Sequence, residues 1–249
     1  MRQAALFIIA LVALTRASAS ECLGEDKDHI VLSRQHVNMG QDYLYAGVIR
    51  QMIGKFEGTS ANNHRMYYVG GVDVNIFRVN YDEYPCGKPF LAYEITNANT
   101  ARIDTFHFPW LTGIDIASES LGGSGDGFAH EIFGLIDGKL IDVTPTGGLN
   151  HTNMGGFYIG PLGKGLGVGI AVWDADWTDG AHYDPHPYVV QYYTWNGTKF
   201  VPTRKIASKE SYDPSGSTPA FIEVPAGRDF NSRGDSFPFA ELRIERDQP

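Results

Sequence analysis

Residues 172–201 read VWDADWTDGAHYDPHPYVVQYYTWNGTKFV and join an acidic segment directly to a β-hairpin pattern. From Tyr188 onward, aromatic and β-branched residues lie on both sides of Asn196-Gly197, a dipeptide typical of a tight hairpin turn. The segment before Tyr188 concentrates aspartate and histidine more densely than any other part of the chain. The stretch therefore predicts antiparallel β-structure with a polar loop at one end.

A second segment, residues 127–145 (GFAHEIFGLIDGKLIDVTP), resembles residues 185–203. Each has an apolar run, then Asp-Gly or Asn-Gly, a lysine within two residues, and a second apolar run. The likeness suggests an internal repeat. Two copies are too few to establish a propeller or a solenoid, and two ordinary hairpins explain the likeness equally well.

The fold class expected from the whole chain is mainly β, as an antiparallel sandwich, barrel or partial propeller with one N-terminal helix. The helix is predicted for residues 42–58, where Leu44, Val48, Met52 and Phe56 recur every four residues. Beyond Gly58 the pattern is of short alternating strands separated by turns. Residues 20–249 are expected to form a single domain.

Residues 1–19 have the pattern of a secretory signal peptide. Arg2 supplies the positive charge, residues 4–14 are apolar, and Ala17-Ser18-Ala19 fits a cleavage site. The apolar run is too short to span a membrane, so we expect a secreted or periplasmic protein without membrane insertion. In an oxidising compartment Cys22 and Cys86 are expected to form one disulfide, with two free thiols as the alternative.

The chain is acidic, with a formal net charge of −9 at pH 7. Removal of residues 1–19 takes away two arginines and no acid, so the net charge becomes 18 − 29 = −11. Nucleic acids and anionic membranes are polyanions that bind through lysine and arginine. The charge therefore opposes nucleic-acid binding and suits cations or neutral ligands.

The acidic segment is a candidate calcium loop. Asp174, Asp176, Asp179 and Asp184 surround Gly180, and Ca²⁺ is bound by several oxygen ligands from short loops in which glycine allows a sharp turn. The spacing does not fit an EF-hand. It resembles the Asp-rich calcium loop of secreted FG-GAP or VCBS-like β-repeat proteins, over about thirty residues, and the resemblance implies a structural calcium ion held by these four aspartates. The alternative is a solvated acidic turn.

The same segment allows a zinc site. His182, Asp184 and His186 occupy alternate positions, which an extended backbone directs to one face. Zinc accepts two imidazoles and a carboxylate, and a fourth position filled by water would be catalytic. An extracytoplasmic metal-dependent hydrolase is therefore an alternative function, with a group such as Glu131 as the acid or base.

Trp177 and Tyr183 lie inside this polar loop and are candidate ligand-binding rings. Exposed rings stack on sugar faces while neighbouring carboxylates accept hydrogen bonds from hydroxyl groups. The function expected first is an exported binding or structural module that recognises a glycan or an extracellular protein. A scaffold without a small ligand would be favoured if Trp177 were buried. Whether the protein is an enzyme stays open at this point.

Overall fold

A computed structural model of the chain describes residues 29–39, 44–52, 71–78, 89–96, 98–120, 127–163, 165–177, 184–213 and 218–224. These residues contain strands and no helix, which confirms the mainly β class. No helix in this part of the chain is therefore long and apolar enough to cross a membrane. The strands are β1 (His29–Asn38), β2 (Leu44–Met52), β3 (Val72–Arg78), β4 (Leu91–Ile95), β5 (Thr100–His107), β6 (Thr112–Ser120), β7 (Gly127–Ile136), β8 (Lys139–Asp142), β9 (Leu149–Thr152), β10 (Gly156–Leu162), β11 (Gly167–Ala175), β12 (Tyr188–Trp195) and β13 (Phe200–Ala207).

Some predicted features lie outside the described residues. They are the signal peptide 1–19, the cysteine pair Cys22 and Cys86, and three side chains of the acidic segment, Asp179, His182 and Tyr183.

The described strands form three antiparallel sheets, and in each sheet consecutive strands are neighbours. The first sheet has the order β1-β2-β3-β4, the second β5-β6-β7-β8 and the third β10-β11-β12-β13. The outer edge of β7 is shared, because β8 pairs with its last residues and β9 with its first. These sheets do not close into a barrel.

Both predicted hairpins are present. The first joins β7 to β8 through Asp137 and Gly138, whose φ values of 49° and 72° are those of a type I′ turn. The second joins β12 to β13, where the side-chain oxygen of Asn196 accepts hydrogen bonds from the backbone N–H groups of Thr198 and Lys199, both at 3.0 Å. Each hairpin supplies the third and fourth strands of its sheet. The two similar segments therefore occupy equivalent places in successive sheets.

The predicted N-terminal helix is not found where the structure describes the segment, because Leu44–Met52 form β2 and pair with β1 and β3. The spacing of four between apolar residues was misleading, since a strand between two partners also accepts apolar residues at those positions. Gly47 and β-branched Ile49 are poor helix formers. In β2 both are buried, and Gly47 leaves room for the side chain of Ile103 on the second sheet.

The second sheet is covered on both faces. One face packs on the first sheet, where Val74 and Ile76 meet Ile116 and Phe133. The other face packs on the third sheet in a cluster that contains Phe106, Ile132, Leu149, Phe157, Ile170 and Phe200. Consequently β6 is buried at every position except its two ends. Polar side chains on the second sheet are thus placed in the interior, where they need partners.

Candidate functional site

A cleft of about 430 Å³ opens at the end of the sheets where β6 and β9 end, at Ser120 and Thr152. Its wall combines strand ends from all three sheets. The lining residues are Ile95, Thr96, Ala98, Ser118, Ser120, Gly127, Phe128, Ala129, Asn150, His151, Thr152 and Asp174.

The cleft is rich in hydrogen-bond acceptors. Ser118 and Ser120 donate their hydroxyl protons to the carbonyl groups of Ala129 and Gly127, at 3.4 and 3.3 Å. Their oxygen atoms retain lone pairs, and the exposed amide of Asn150 can accept as well as donate. The described lining contains one carboxylate and no lysine or arginine. Such a surface favours a ligand that donates hydrogen bonds over an anion.

Asp174 fastens β11 to the turn that follows β9. Its Oδ1 accepts hydrogen bonds from the Thr152 hydroxyl at 2.7 Å and from the Ala175 N–H at 2.8 Å. Its Oδ2 accepts from the Thr152 N–H at 2.9 Å, and the Trp177 side chain is a fourth partner. Burial raises the pKa of Asp174, although these hydrogen bonds oppose the shift. A carboxylate has about four acceptor positions, so groups of the protein itself use all of them.

The other described members of the calcium candidate set lie in different surroundings. Asp176 is half-buried and its N–H donates to the Pro187 carbonyl at 2.8 Å, whereas Asp184 is exposed. Within the described residues, no three His, Cys, Asp or Glu side chains are placed to hold one metal ion. Asp174 could ligate calcium only by giving up some of its hydrogen bonds. Because Asp179 is not described, the calcium loop stays a prediction.

The two described members of the zinc candidate set are also in different environments. His186 is fully buried, its backbone exchanges hydrogen bonds with Tyr212, and its ring centroid is 5.0 Å from that of Trp177. Asp184, two residues earlier, is exposed. The zinc hypothesis depends further on His182, which lies outside the described residues.

A connected set of buried polar side chains that the sequence did not reveal begins at His151 in the cleft wall and continues behind it. Asp115, His130 and His151 are each less than 8% exposed. Ala117 pairs with His130, so Asp115, two residues before Ala117, lies on the same face as His130. On the other edge of β7, His151 pairs with Phe128, two residues before His130, and so lies on this face too. This face of the second sheet packs on the third sheet.

The contacts along this chain are short. His130 Nδ1 lies 2.9 Å from Asp115 Oδ2, and His130 Nε2 lies 3.2 Å from His151 Nε2. His151 Nδ1 lies 2.7 Å from the Thr152 carbonyl oxygen. Phe157 stacks on the His130 ring at 3.8 Å, and Phe128 stacks on the His151 ring at 5.1 Å. The two imidazoles are therefore fixed in both position and orientation.

The two imidazoles meet head to head. Their ring centroids are 5.4 Å apart while the two Nε2 atoms are 3.2 Å apart, so the line between centroids passes close to both nitrogens. A zinc ion lies about 2.0–2.1 Å from each imidazole nitrogen, and in a tetrahedral site the two ring axes meet at an angle. On the line that joins the two nitrogens, an ion midway between them would lie only half of 3.2 Å from each, which is shorter than that bond. In this arrangement a proton, and not a metal ion, fits between the rings.

The positions of the protons follow from the chemistry of the partners. A carbonyl oxygen can only accept, so His151 Nδ1 carries a proton and donates it to Thr152. Burial and the neighbouring His130 lower the pKa of His151 to about 3, so its Nε2 carries no proton at neutral pH. His130 must then donate from Nε2 to His151, and its Nδ1 makes the hydrogen bond with Asp115.

Glu131, the predicted acid or base, lies on the opposite face of β7 from His130 and outside the cleft lining. Its carboxylate accepts a hydrogen bond from the Thr144 hydroxyl at 3.2 Å, and burial raises its pKa. Burial, followed by the nearby Glu131 carboxylate, raises the pKa of Tyr93 to about 12. Glu131 therefore belongs to the contact between the first and second sheets.

Two exposed tryptophans lie at opposite ends of the strands. Trp177 is 38% exposed beside the cleft end of β11, and Trp110 is 43% exposed at the β5–β6 turn. Trp110 stacks on Trp195 with ring centroids 5.5 Å apart and planes at 18°. The partial exposure of Trp177 agrees with the expected exposed ring.

Comparisons of the chain with family models, with curated proteins and with solved structures gave no match.

Proposed function

We propose that this protein is an extracytoplasmic binding module whose cleft takes a neutral, hydroxyl-rich ligand such as a glycan. The observation that carries the proposal is the acceptor-rich lining of the cleft, to which Ser118, Ser120 and Asn150 contribute polar side chains and which also includes Phe128. Sugar hydroxyls donate to such acceptors, and an aromatic ring supplies an apolar contact. The extracytoplasmic location rests on the signal pattern of residues 1–19.

The arrangement of the sheets supports a partial-propeller form of this module. Three successive meanders of four strands, the second with β9 added to it, lie face to face in chain order, as consecutive blades do in a propeller. In this interpretation the cleft lies where strand ends of neighbouring blades meet, which is a common place for a ligand site.

The hydrolase alternative gains no support from the described lining of the cleft. Both nitrogens of His151 are hydrogen-bonded within the protein, and the oxygens of Asp174 are occupied by four donors. A general base needs a free lone pair within reach of the substrate. Binding without chemistry is therefore the function that these side chains favour.

The proposal is tested by screening the mature chain against an array of neutral glycans and measuring the affinity of each hit by calorimetry. We expect Asn150→Ala to weaken binding about tenfold, which corresponds to about 1.4 kcal/mol and to the loss of one good hydrogen bond. Asn75→Ala is the matched control, because Asn75 lies on the outer face of the first sheet. Equal affinities for the two variants, or no hit on the array, would refute the proposed site.

A further inference from the structure

Strand β9 is a short element on which the shape of the cleft depends. It has four residues, and three of them, Asn150, His151 and Thr152, line the cleft. Backbone pairing with β7 holds the strand on one side, and the contact between His151 and His130 joins the same two strands through their side chains. The chain of Asp115, His130 and His151 therefore adds a side-chain connection to a strand with few backbone hydrogen bonds of its own.

We propose that Asp115, His130 and His151 form an acid-sensitive latch, in which a proton on His151 Nε2 opposes the N–H of His130 and releases β9 from β7. The geometry carries this inference. The two Nε2 atoms face each other at 3.2 Å, so only one proton fits between them. Neutral His151 already donates from Nδ1, so its Nε2 is the acceptor of that proton. A second proton would place two donors head to head in the interior.

The charged groups described around His151 are not available to offset the positive charge that this second proton would add. Asp115 is already hydrogen-bonded to His130 Nδ1, and Asp104 on β5 pairs with Arg102 at 2.6 Å. Gly155 lies between His151 and Asp174 on β11, and the acceptor positions of Asp174 are in use. Glu119 on β6 is separated from His151 by Phe128 in the strand register. The charged and titratable groups that face His151 are thus His130, Asp115, Glu119, Asp104, Arg102 and Asp174.

Release of β9 would remove three lining residues from the cleft. If the cleft binds a glycan as proposed above, acidification would weaken that binding, and this consequence rests on the proposed function. The latch itself does not, because the pairing of β9 with β7 can be followed without any ligand.

The test is amide hydrogen exchange of residues 149–152 between pH 7.5 and pH 5, corrected for the intrinsic exchange rate. His151 binds its proton far more readily in the open state than in the closed state, so the opening constant should rise up to tenfold per pH unit below about pH 6.5. In His151→Gln, whose amide can accept from His130 but cannot titrate, the rise should vanish. His107→Gln, on an exposed histidine of β5, should behave as the wild type does. A rise of equal size in His151→Gln would overturn the latch.

A measurement on the unmodified chain covers the case in which His151→Gln fails to fold. Long-range ¹H–¹⁵N correlation spectra distinguish the protonated nitrogen of each imidazole. The latch requires a proton on Nδ1 and none on Nε2 of His151, together with a proton on Nε2 of His130, at pH 7.5. A proton on Nε2 of His151 at that pH would overturn the inference whether or not the cleft binds a glycan.

Discussion

At the scale of single residues, His151 makes the stability of the fold depend on pH. Its pKa is about 3 in the folded chain, against an ordinary value of 6.5 for histidine, so the unfolded chain binds one more proton between these values. Stability is therefore lost as the pH falls from about 6.5 towards 3, by up to roughly 1.4 kcal/mol per pH unit. We expect His151→Gln to flatten this part of the stability curve in urea denaturation. An unchanged slope would mean that His151 is not buried as a neutral acceptor.

Asp174 has a structural effect that can be separated from any role in metal binding. Asp174→Ala leaves the part-buried N–H groups of Thr152 and Ala175 without their acceptor, and we expect it to destabilise the fold by about 2–4 kcal/mol. Glu94→Ala, at an exposed position of β4, should change stability by less than about 0.5 kcal/mol. Both values are measured by urea denaturation in EDTA, which removes calcium from the comparison. Equal effects of the two substitutions would show that the four hydrogen bonds to Asp174 are dispensable.

At the scale of elements, the turns determined which strands could be predicted. Asp137-Gly138 and Asn196-Gly197 have strong local preferences, and both hairpins form where these dipeptides predict them. The apolar spacing in β2 satisfies a helix as well as a strand, so only the pairing with β1 and β3 distinguishes them. The acidic segment was found from composition, which could not show that Asp174 would be saturated by Thr152 and its neighbours.

The loop between β11 and β12 is the element in which the calcium prediction is tested. If calcium orders this loop, elemental analysis of the purified mature chain should give close to one calcium per molecule. Addition of EDTA should then lower the melting temperature, because a ligand that binds only the folded chain stabilises it. Absence of calcium together with an unchanged melt would leave the aspartates as a solvated turn, and stoichiometric zinc would support the site with His182 and His186.

At the scale of the whole molecule, stacking of the three sheets places buried polar groups behind the cleft. Asp115, His130 and His151 are far apart in sequence, and they meet because β6 and β9 pair with the same strand in a particular register. Sequence patterns indicate strands but seldom their register across loops, which is why this chain of residues could not be predicted. The one available signal was polar residues within apolar strands, as at Asp115 in β6.

The stacking also separates two candidate surfaces for a glycan. The cleft lies at one end of the strands, and the stacked pair Trp110 and Trp195 lies at the other. The most direct test titrates the ¹⁵N-labelled mature chain with the neutral glycans that the array selects and records amide chemical shifts. We expect the shifts to concentrate at Ser118, Ser120, Phe128 and Asn150. Shifts confined to Trp110 and Trp195, or none at saturating glycan, would contradict the proposed site.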